Sequence, residues 1–468
     1  MRPFKIYDAA VVVLLGLALA ACGNVAVKND SQTRQPAQTV KPSTAAGRMK
    51  VALLAPLSGD VGPVGQQLVN AAAVAMFERP DVKVELLPFD TRGTPEGAAQ
   101  AAAQARAADV ELVLGPLFGR HVPIVRQGLA GTNVTILAFT NDSAQAGTGG
   151  FVMGLSVSSQ VEQLASYLAS QGKTRLISIG PDNEYTARAN AAVESSAAIT
   201  GITLVRSTTY PEDADFNQIS GLVQEITGYQ ARRGEWQGYA DRLKPLVRGA
   251  ADPAAALRQE AARFGSDIRG EMLRGMATVY SSWQSSGRNR ALAEVMQRID
   301  GVDAMPVSDY DAVLLPVGDD NLVAIGSMLD LFNAGRGFAT LSGTNIWQNV
   351  SLSSEPSLLG GWYAKMSDEA LAPFSLAYRS SFQEDPESIA ALGYHGAFIA
   401  MEAMQAGQRT VSPAFVRRPE GFTGSAGTVR FGNDNLMRHP LAIYEVTPVS
   451  DETPNGVKEL QGPGQPGS

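Results

Sequence analysis

Three glycines, Gly59, Gly62 and Gly65, punctuate the loop inside KVALLAPLSGDVGPVGQQLVNAAAVAMFE, where an apolar run gives way to a helical pattern. Glycine loops of this kind can cradle a phosphate on backbone N–H groups. The spacing is neither G-x-G-x-x-G nor a Walker loop, and no Lys-Ser/Thr follows it. Asp90, Asp142 and Asp319 fall beyond predicted strands, where any α/β fold collects acids, but no histidine or second acid of assignable geometry accompanies them. The three histidines, His121, His395 and His439, lie far apart with no second ligand type at motif spacing, so no metal site and no cofactor are expected. His395, flanked by Tyr394 and Phe398, reads as a packed helix residue. With no G-x-S-x-G elbow and no H-E-x-x-H either, the residue types predict binding, not catalysis.

Where that binding takes place is written at the amino terminus. Arg2 and Lys5 precede an apolar run from Ala9 to Ala21, too short to span a bilayer, and Leu19-Ala20-Ala21 leads into Cys22, the single cysteine. This resembles the lipobox of bacterial lipoproteins; the alternative is a plain signal peptide with an incidental cysteine. The resemblance implies a signal peptide over 1–21, acylation of Cys22, and a lipidated tether over 22–48, a polar stretch without period. Gly23, where Asp would signal retention, implies an outer-membrane address facing the periplasm. A net charge of −8 argues against nonspecific affinity for nucleic acid or anionic lipid.

The elements that must position the polar loops repeat one pattern. Strand, glycine loop and helix over Met49–Glu78 are followed by VKVELLPFD and a helix capped by Thr94, then by ELVLG and HVPIVRQGLAG, then by NVTILAF. Such alternation predicts a parallel sheet covered on both faces. At 468 residues, two lobes are expected. The pattern restarts after Phe151–Ser156, with Ser158 or Ser159 as the helix cap. About a hundred residues then separate Tyr210 from the next clear strand, DAVLLPVG, far more than one crossover needs. A helical insertion over about 218–299 is expected. Its ring-bearing residues Tyr229, Trp236, Tyr239, Tyr280 and Trp283 read as a satellite core or as a partner surface. The predicted division places 49–150 and about 350–410 in lobe one, 151–349 in lobe two, closing strands at 411–447 with a hairpin-like turn at Gly432-Asn433-Asp434, and a disordered Pro/Gly-rich tail at 448–468.

This order resembles the type I periplasmic ligand-binding fold, in the branch of leucine/isoleucine/valine-binding proteins. The matching pieces are VALLAPLSGDVGPVGQQLVNAAAVA, VLGPLFG, AFTND, DNEYTARA, ALGYHGAFIAMEAM and GTVRF. The resemblance implies two parallel-sheet lobes with ligand in the cleft at the carboxyl ends of the strands. It also implies candidate cleft residues: Ser58 in the first loop, Gly119 where the branch has a carboxylate-binding serine, Arg120 beside it, Thr140, Asn141 and Asp142 after the fourth strand, Tyr185 as a closing aromatic, and Asp319. Where the branch has an acid for the ligand ammonium, this chain has Gly343, Thr344, Asn345 and Trp347 instead. Loss of that acid would leave an ammonium uncompensated.

That departure, the lipobox and the insertion together are similar to a narrower family, the lipoprotein activators of penicillin-binding proteins. The similarity implies a non-catalytic regulator whose partner is a peptidoglycan synthase. The alternative is a receptor for an amino acid or related solute serving an ABC transporter. In neither case is nucleic acid a partner.

Overall fold

The computed structural model describes residues 47–147, 149–307 and 309–463. The predicted signal peptide, Cys22 and nearly all of the tether lie outside them.

An apolar run without polar interruption makes a strand that can be buried on both faces. β1 (Met49–Ala55) is such a run, buried at every position but Lys50. It pairs with β2 (Val84–Asp90) and β3 (Leu112–Leu114), and β4 (Thr135–Ala138) and β5 (Gly150–Val152) complete an all-parallel sheet of order β2-β1-β3-β4-β5. α1 (Gly62–Glu78), α2 (Pro95–Ala107) and α3 (Val122–Gly128) provide its crossovers. Thr94 caps α2 by accepting the Gly97 N–H at 3.0 Å. α1 leaves β1 so tightly that a Cβ at Gly65 would sit 1.7 Å from the Pro56 carbonyl oxygen, so only glycine serves there.

In the second lobe α4 (Val157–Ser170) precedes β6 (Arg175–Pro181), α5 (Glu184–Thr200), β7 (Thr203–Tyr210) and α6 (Phe216–Ile226). Four further helices follow: α7 (Tyr229–Gly249), α8 (Pro253–Ala262), α9 (Ile268–Trp283) and α10 (Arg288–Asp300). The lobe resumes with β8 (Ala312–Leu314), α11 (Asp320–Leu331), β9 (Thr340–Gly343) and β10 (Trp362–Met366). The chain then returns to the first lobe as α12 (Asp368–Phe382), α13 (Ala390–Gln405) and α14 (Pro413–Val416), and as a small antiparallel sheet of β11 (Phe422–Gly424), β12 (Gly427–Phe431) and β13 (Met437–Arg438). α13 is buried almost all round, the mark of a central helix, and meets α1 so closely that a Cβ on Gly393 would lie 2.1 Å from the Leu68 carbonyl. Finally β14 (Leu441–Val446) and β15 (Val457–Gln461) add antiparallel strands to the second sheet, giving β15-β14-β10-β9-β8-β6-β7.

Three chain segments therefore cross between lobes: Met153–Ser156, Ser367, and His439–Pro440. They are bonded to one another, Ser367 N–H to the Pro440 carbonyl at 2.8 Å and His439 Nε2 to the Met153 carbonyl at 2.6 Å. His395 of α13 stands beside this crossing, its ring 6.4 Å from that of His439. Burial, with His439 adding to it, pushes His395 down to about 3. Burial likewise takes His439 to about 4 against the raising effect of its bond to Met153.

Several expected boundaries are corrected. β10 and the turns before it pack in the second lobe through Trp347, Leu352, Leu358 and Tyr363, so only the part of 350–410 from α12 onward belongs to lobe one. β5 hydrogen-bonds in the first sheet, so the crossing begins after Val152, and Ser156, not Ser158 or Ser159, caps α4. The predicted insertion over 218–299 starts too early: Ile219, Val223 and Ile226 of α6 pack into the core of lobe two. The added module is α7 to α10, whose own core contains Trp236, Leu257, Leu273, Tyr280 and Ile299. Tyr229 instead joins the lobe-two core, and Arg232 ties the module down by donating to the Thr227, Met305, Phe332 and Asn333 carbonyls. The closing segment 411–447 is not one unit, because β12 turns back onto β13 while β14 crosses to the other sheet. The tail is not disordered throughout 448–468: β15 pairs with β14, and Tyr444 Oη donates to Glu459 at 2.7 Å. Few apolar residues are needed there, because edge pairing supplies backbone hydrogen bonds that composition does not register.

Candidate functional site

The loops at the carboxyl ends of β3 and β4 face the second lobe across two adjoining chambers. The inner one, of about 320 Å³, is walled by Leu117, Phe118, Phe139, Leu155, Met366, Ile389 and Leu392, with Thr140, Asn141, Gly154, Asn345 and Ser388 as its remaining residues. Its walls come from both lobes and the crossing segments. The outer one, of about 290 Å³, holds Arg120, Asp142, Glu184, Tyr185 and Arg188, and shares Phe118, Thr140 and Asn141 with the inner. Among the described residues, no group of three or more His, Cys, Asp or Glu is arranged to hold a metal ion.

The carboxylates of the outer chamber are paired with Arg188. Arg188, on α5 of the second lobe, donates to Asp142 Oδ1 of the first at 2.8 Å and to Glu184 Oε1 at 2.6 Å. Asp142 also accepts from Gln145 Nε2 at 2.8 Å and from the Ala144 N–H at 3.1 Å. Burial alone would raise the Asp142 carboxyl, but the bonds from Arg188, Gln145 and Ala144 outweigh it and hold the carboxyl below its usual range. Arg120 differs. It is exposed, its guanidinium lies over the Phe118 ring at 4.6 Å from the centroid, and among the described residues it joins no ion pair.

The remaining expected residues divide clearly. Gly119 stands against Asp142 and Thr140: a Cβ there would lie 2.8 Å from Asp142 Cβ and 2.9 Å from Thr140 Oγ1. A serine is not merely absent; its space is taken. Tyr185 hydrogen-bonds Thr344 Oγ1 at 2.7 Å, and burial pushes its hydroxyl up to about 12 despite that bond. The Asn345 N–H donates to Gln160 Oε1 at 2.7 Å, so its backbone is spoken for while the residue lines the inner chamber.

Three expectations are corrected. Trp347 is fully buried, donates from Nε1 to the Leu315 carbonyl at 2.9 Å and stacks on Tyr363, so it is core of lobe two and not cleft. Asp319 caps α11 by accepting the Asn321 N–H at 3.0 Å and lines neither chamber. Ser58 donates to Asp90 Oδ2 at 2.6 Å, in a loop closed by the Leu57 and Arg92 N–H groups on the same carboxylate, and it too lies off both walls. Phe118, Arg188 and the apolar wall from Leu155 to Leu392 escaped sequence reasoning. Only the Glu184/Arg188 spacing of four residues hinted at a paired guanidinium.

Two lobes built on parallel strands, the second with an antiparallel edge, three crossing segments and chambers at the strand ends define the type I periplasmic ligand-binding fold. In keeping with it, the model of a family described as periplasmic binding protein matches residues 48–232. Solved structures extend the likeness over most of the chain. An ABC transporter substrate-binding protein from Sphaerobacter thermophilus superimposes with a TM-score of 0.56 at 16% identity, covering 88% of this chain and 96% of its own. A substrate-binding protein from Desulfitobacterium hafniense in complex with leucine gives 0.54 at 15%, over 88% and 100%. A solute-binding protein from Rhodopseudomonas palustris in complex with 3,4-dihydroxybenzoic acid gives 0.53 at 14%, over 89% and 97%. At such identities the likeness speaks for the fold. No curated protein matches the chain by sequence.

Proposed function

We propose that this chain is a non-catalytic binding protein of the bacterial envelope, held there by a lipid on Cys22, whose interlobe cleft receives a small solute for an ABC transporter. The observation that carries the reading is the inner chamber, an apolar cavity of about 320 Å³ with a few polar groups, placed where this fold binds ligands. Its size suits a molecule of amino-acid or benzoate dimensions, as in the solved structures of similar fold. Thermal-shift screening of small solutes, followed by calorimetry, tests it. A saturable ligand whose binding is lost in Phe139→Arg supports the reading, and the absence of any stabilising solute counts against it.

A second reading has its own observation. The α7 to α10 module carries a separate core, and Arg188 bridges the lobes to Asp142. Both suit a protein that contacts a macromolecule, and by resemblance that partner is a peptidoglycan synthase in a regulator anchored to the outer membrane. Replacing 229–300 by a short Gly/Ser link, with folding checked by circular dichroism, separates the readings. Loss of synthase capture from crosslinked membranes, detected with a labelled penicillin, favours the regulator. Unchanged capture removes the module from that role.

A further inference from the structure

The polar groups of the cleft carry information about charge. Each group there that could neutralise a ligand ammonium is a carboxylate, and the two that line the chambers, Asp142 and Glu184, are both bonded to Arg188. The inner chamber contains no acid at all. Drawing Asp142 away to serve an ammonium would take from Arg188, whose side chain is 22% exposed, one of its two carboxylate partners and leave it only Glu184. Positive charge is treated in the opposite way. Arg120 has no carboxylate partner among the described residues, and it is held over Phe118, the ring that forms the wall between the chambers. An apolar body lying in the inner chamber against Phe118 thus has one unspent charge across that ring, in the adjoining outer chamber, and that charge is positive.

We infer that the cleft selects a ligand with an apolar aliphatic or aromatic body and a single carboxylate, without an ammonium group, and that Arg120 meets the carboxylate. The inference rests on the solute-receptor reading of the same cleft. Guanidinium suits the role, since it presents paired N–H donors to the two carboxylate oxygens and stays charged at every relevant pH.

Four probes of one carbon skeleton isolate the charges: 4-methylpentanoate, leucine, 4-methylpentan-1-amine and 4-methylpentan-1-ol, each titrated calorimetrically into the full-length protein. The acid is expected to bind about tenfold more tightly than leucine and than the alcohol, with the amine weakest, a ratio equivalent to one net charged hydrogen bond. In Arg120→Gln the preference for acid over alcohol should shrink to about twofold, while Arg120→Lys, which keeps the charge, should retain most of it. Leucine binding as tightly as the acid overturns the single-anion inference and leaves the receptor reading standing. An acid-over-alcohol preference unchanged in Arg120→Gln overturns the role of Arg120. Binding of none of the four, with another class of solute found by screening, overturns the inference alone; no binding of any solute overturns both.

Discussion

Acid sensitivity near neutrality should come from the histidines, and its size can be worked out. All three histidines of the chain are held neutral by burial: His395 is pushed down to about 3, His439 to about 4, and His121 is lowered as well. The sign follows from linkage. A histidine of ordinary value 6.5 takes up a proton in the unfolded chain as pH falls below 6.5, while the folded chain declines it until near 3 to 4, so the unfolded state gains in that window. Each such group costs the fold about 1.4 kcal/mol per pH unit, hence about 2 kcal/mol by pH 5, and His395 with His439 together about 4 kcal/mol. Depressed carboxylates such as Asp142 and Glu402 lose their contribution only as pH falls toward and below their ordinary values near 4, so they leave this window largely clear. Glu162 and Asp330, raised by burial, act in the opposite sense and offset part of the loss. Urea unfolding at pH 7.5 and pH 5.0 measures the difference, and His395→Leu combined with His439→Asn, which keeps an N–H for the Met153 carbonyl, should remove most of it. With three histidines, their imidazole resonances can be assigned and titrated singly by NMR. A His395 or His439 resonance that titrates near 6.5, or a stability loss under about 1 kcal/mol between the two pH values, would refute the reasoning.

Gly119→Ser should not restore leucine binding, because the added side chain meets Asp142 and Thr140; about 1–3 kcal/mol of lost stability in urea and no leucine heat in calorimetry are expected. Trp347→Ala should cost about 3–5 kcal/mol, the price of a fully buried aromatic, whereas a cleft tryptophan would lower affinity with little loss in unfolding experiments. Asp142→Asn removes the interlobe ion pair and should shift the lobes toward a more open arrangement; the pair is worth about 0.2–1 kcal/mol, so small-angle scattering should show a modest rise in radius of gyration, and none if the lobes are held by the crossings alone. Cys22→Ala should abolish incorporation of a fatty-acid analogue; equal labelling of the variant would end the lipoprotein reading.

The order of strands and helices was legible because apolar periodicity, glycine turns and helix caps are local signals, acting within one element and its neighbours. Thr94 caps α2 where the sequence places it, whereas α1 begins at Gly62 and takes in Gly62 and Gly65, two of the three glycines read as loop; the resemblance drawn from those pieces names the fold that the lobes adopt. Gly119 and the absence of an acid after β9 also stand in the sequence, but it is the resemblance to the amino-acid-binding branch that gives them meaning. What tertiary structure decided is direction and partnership. Trp347 lies two residues from Asn345, yet one turns into the core and the other lines a chamber, because the 3₁₀ turn after β9 has about three residues per turn and points positions two apart in different directions. Arg188 finds Asp142 across 46 positions and two lobes, and β15 finds β14 through backbone groups that every residue carries. Such pairings depend on which surfaces the packed sheets bring within about 3 Å of each other, a property of the whole chain's burial that no local pattern encodes.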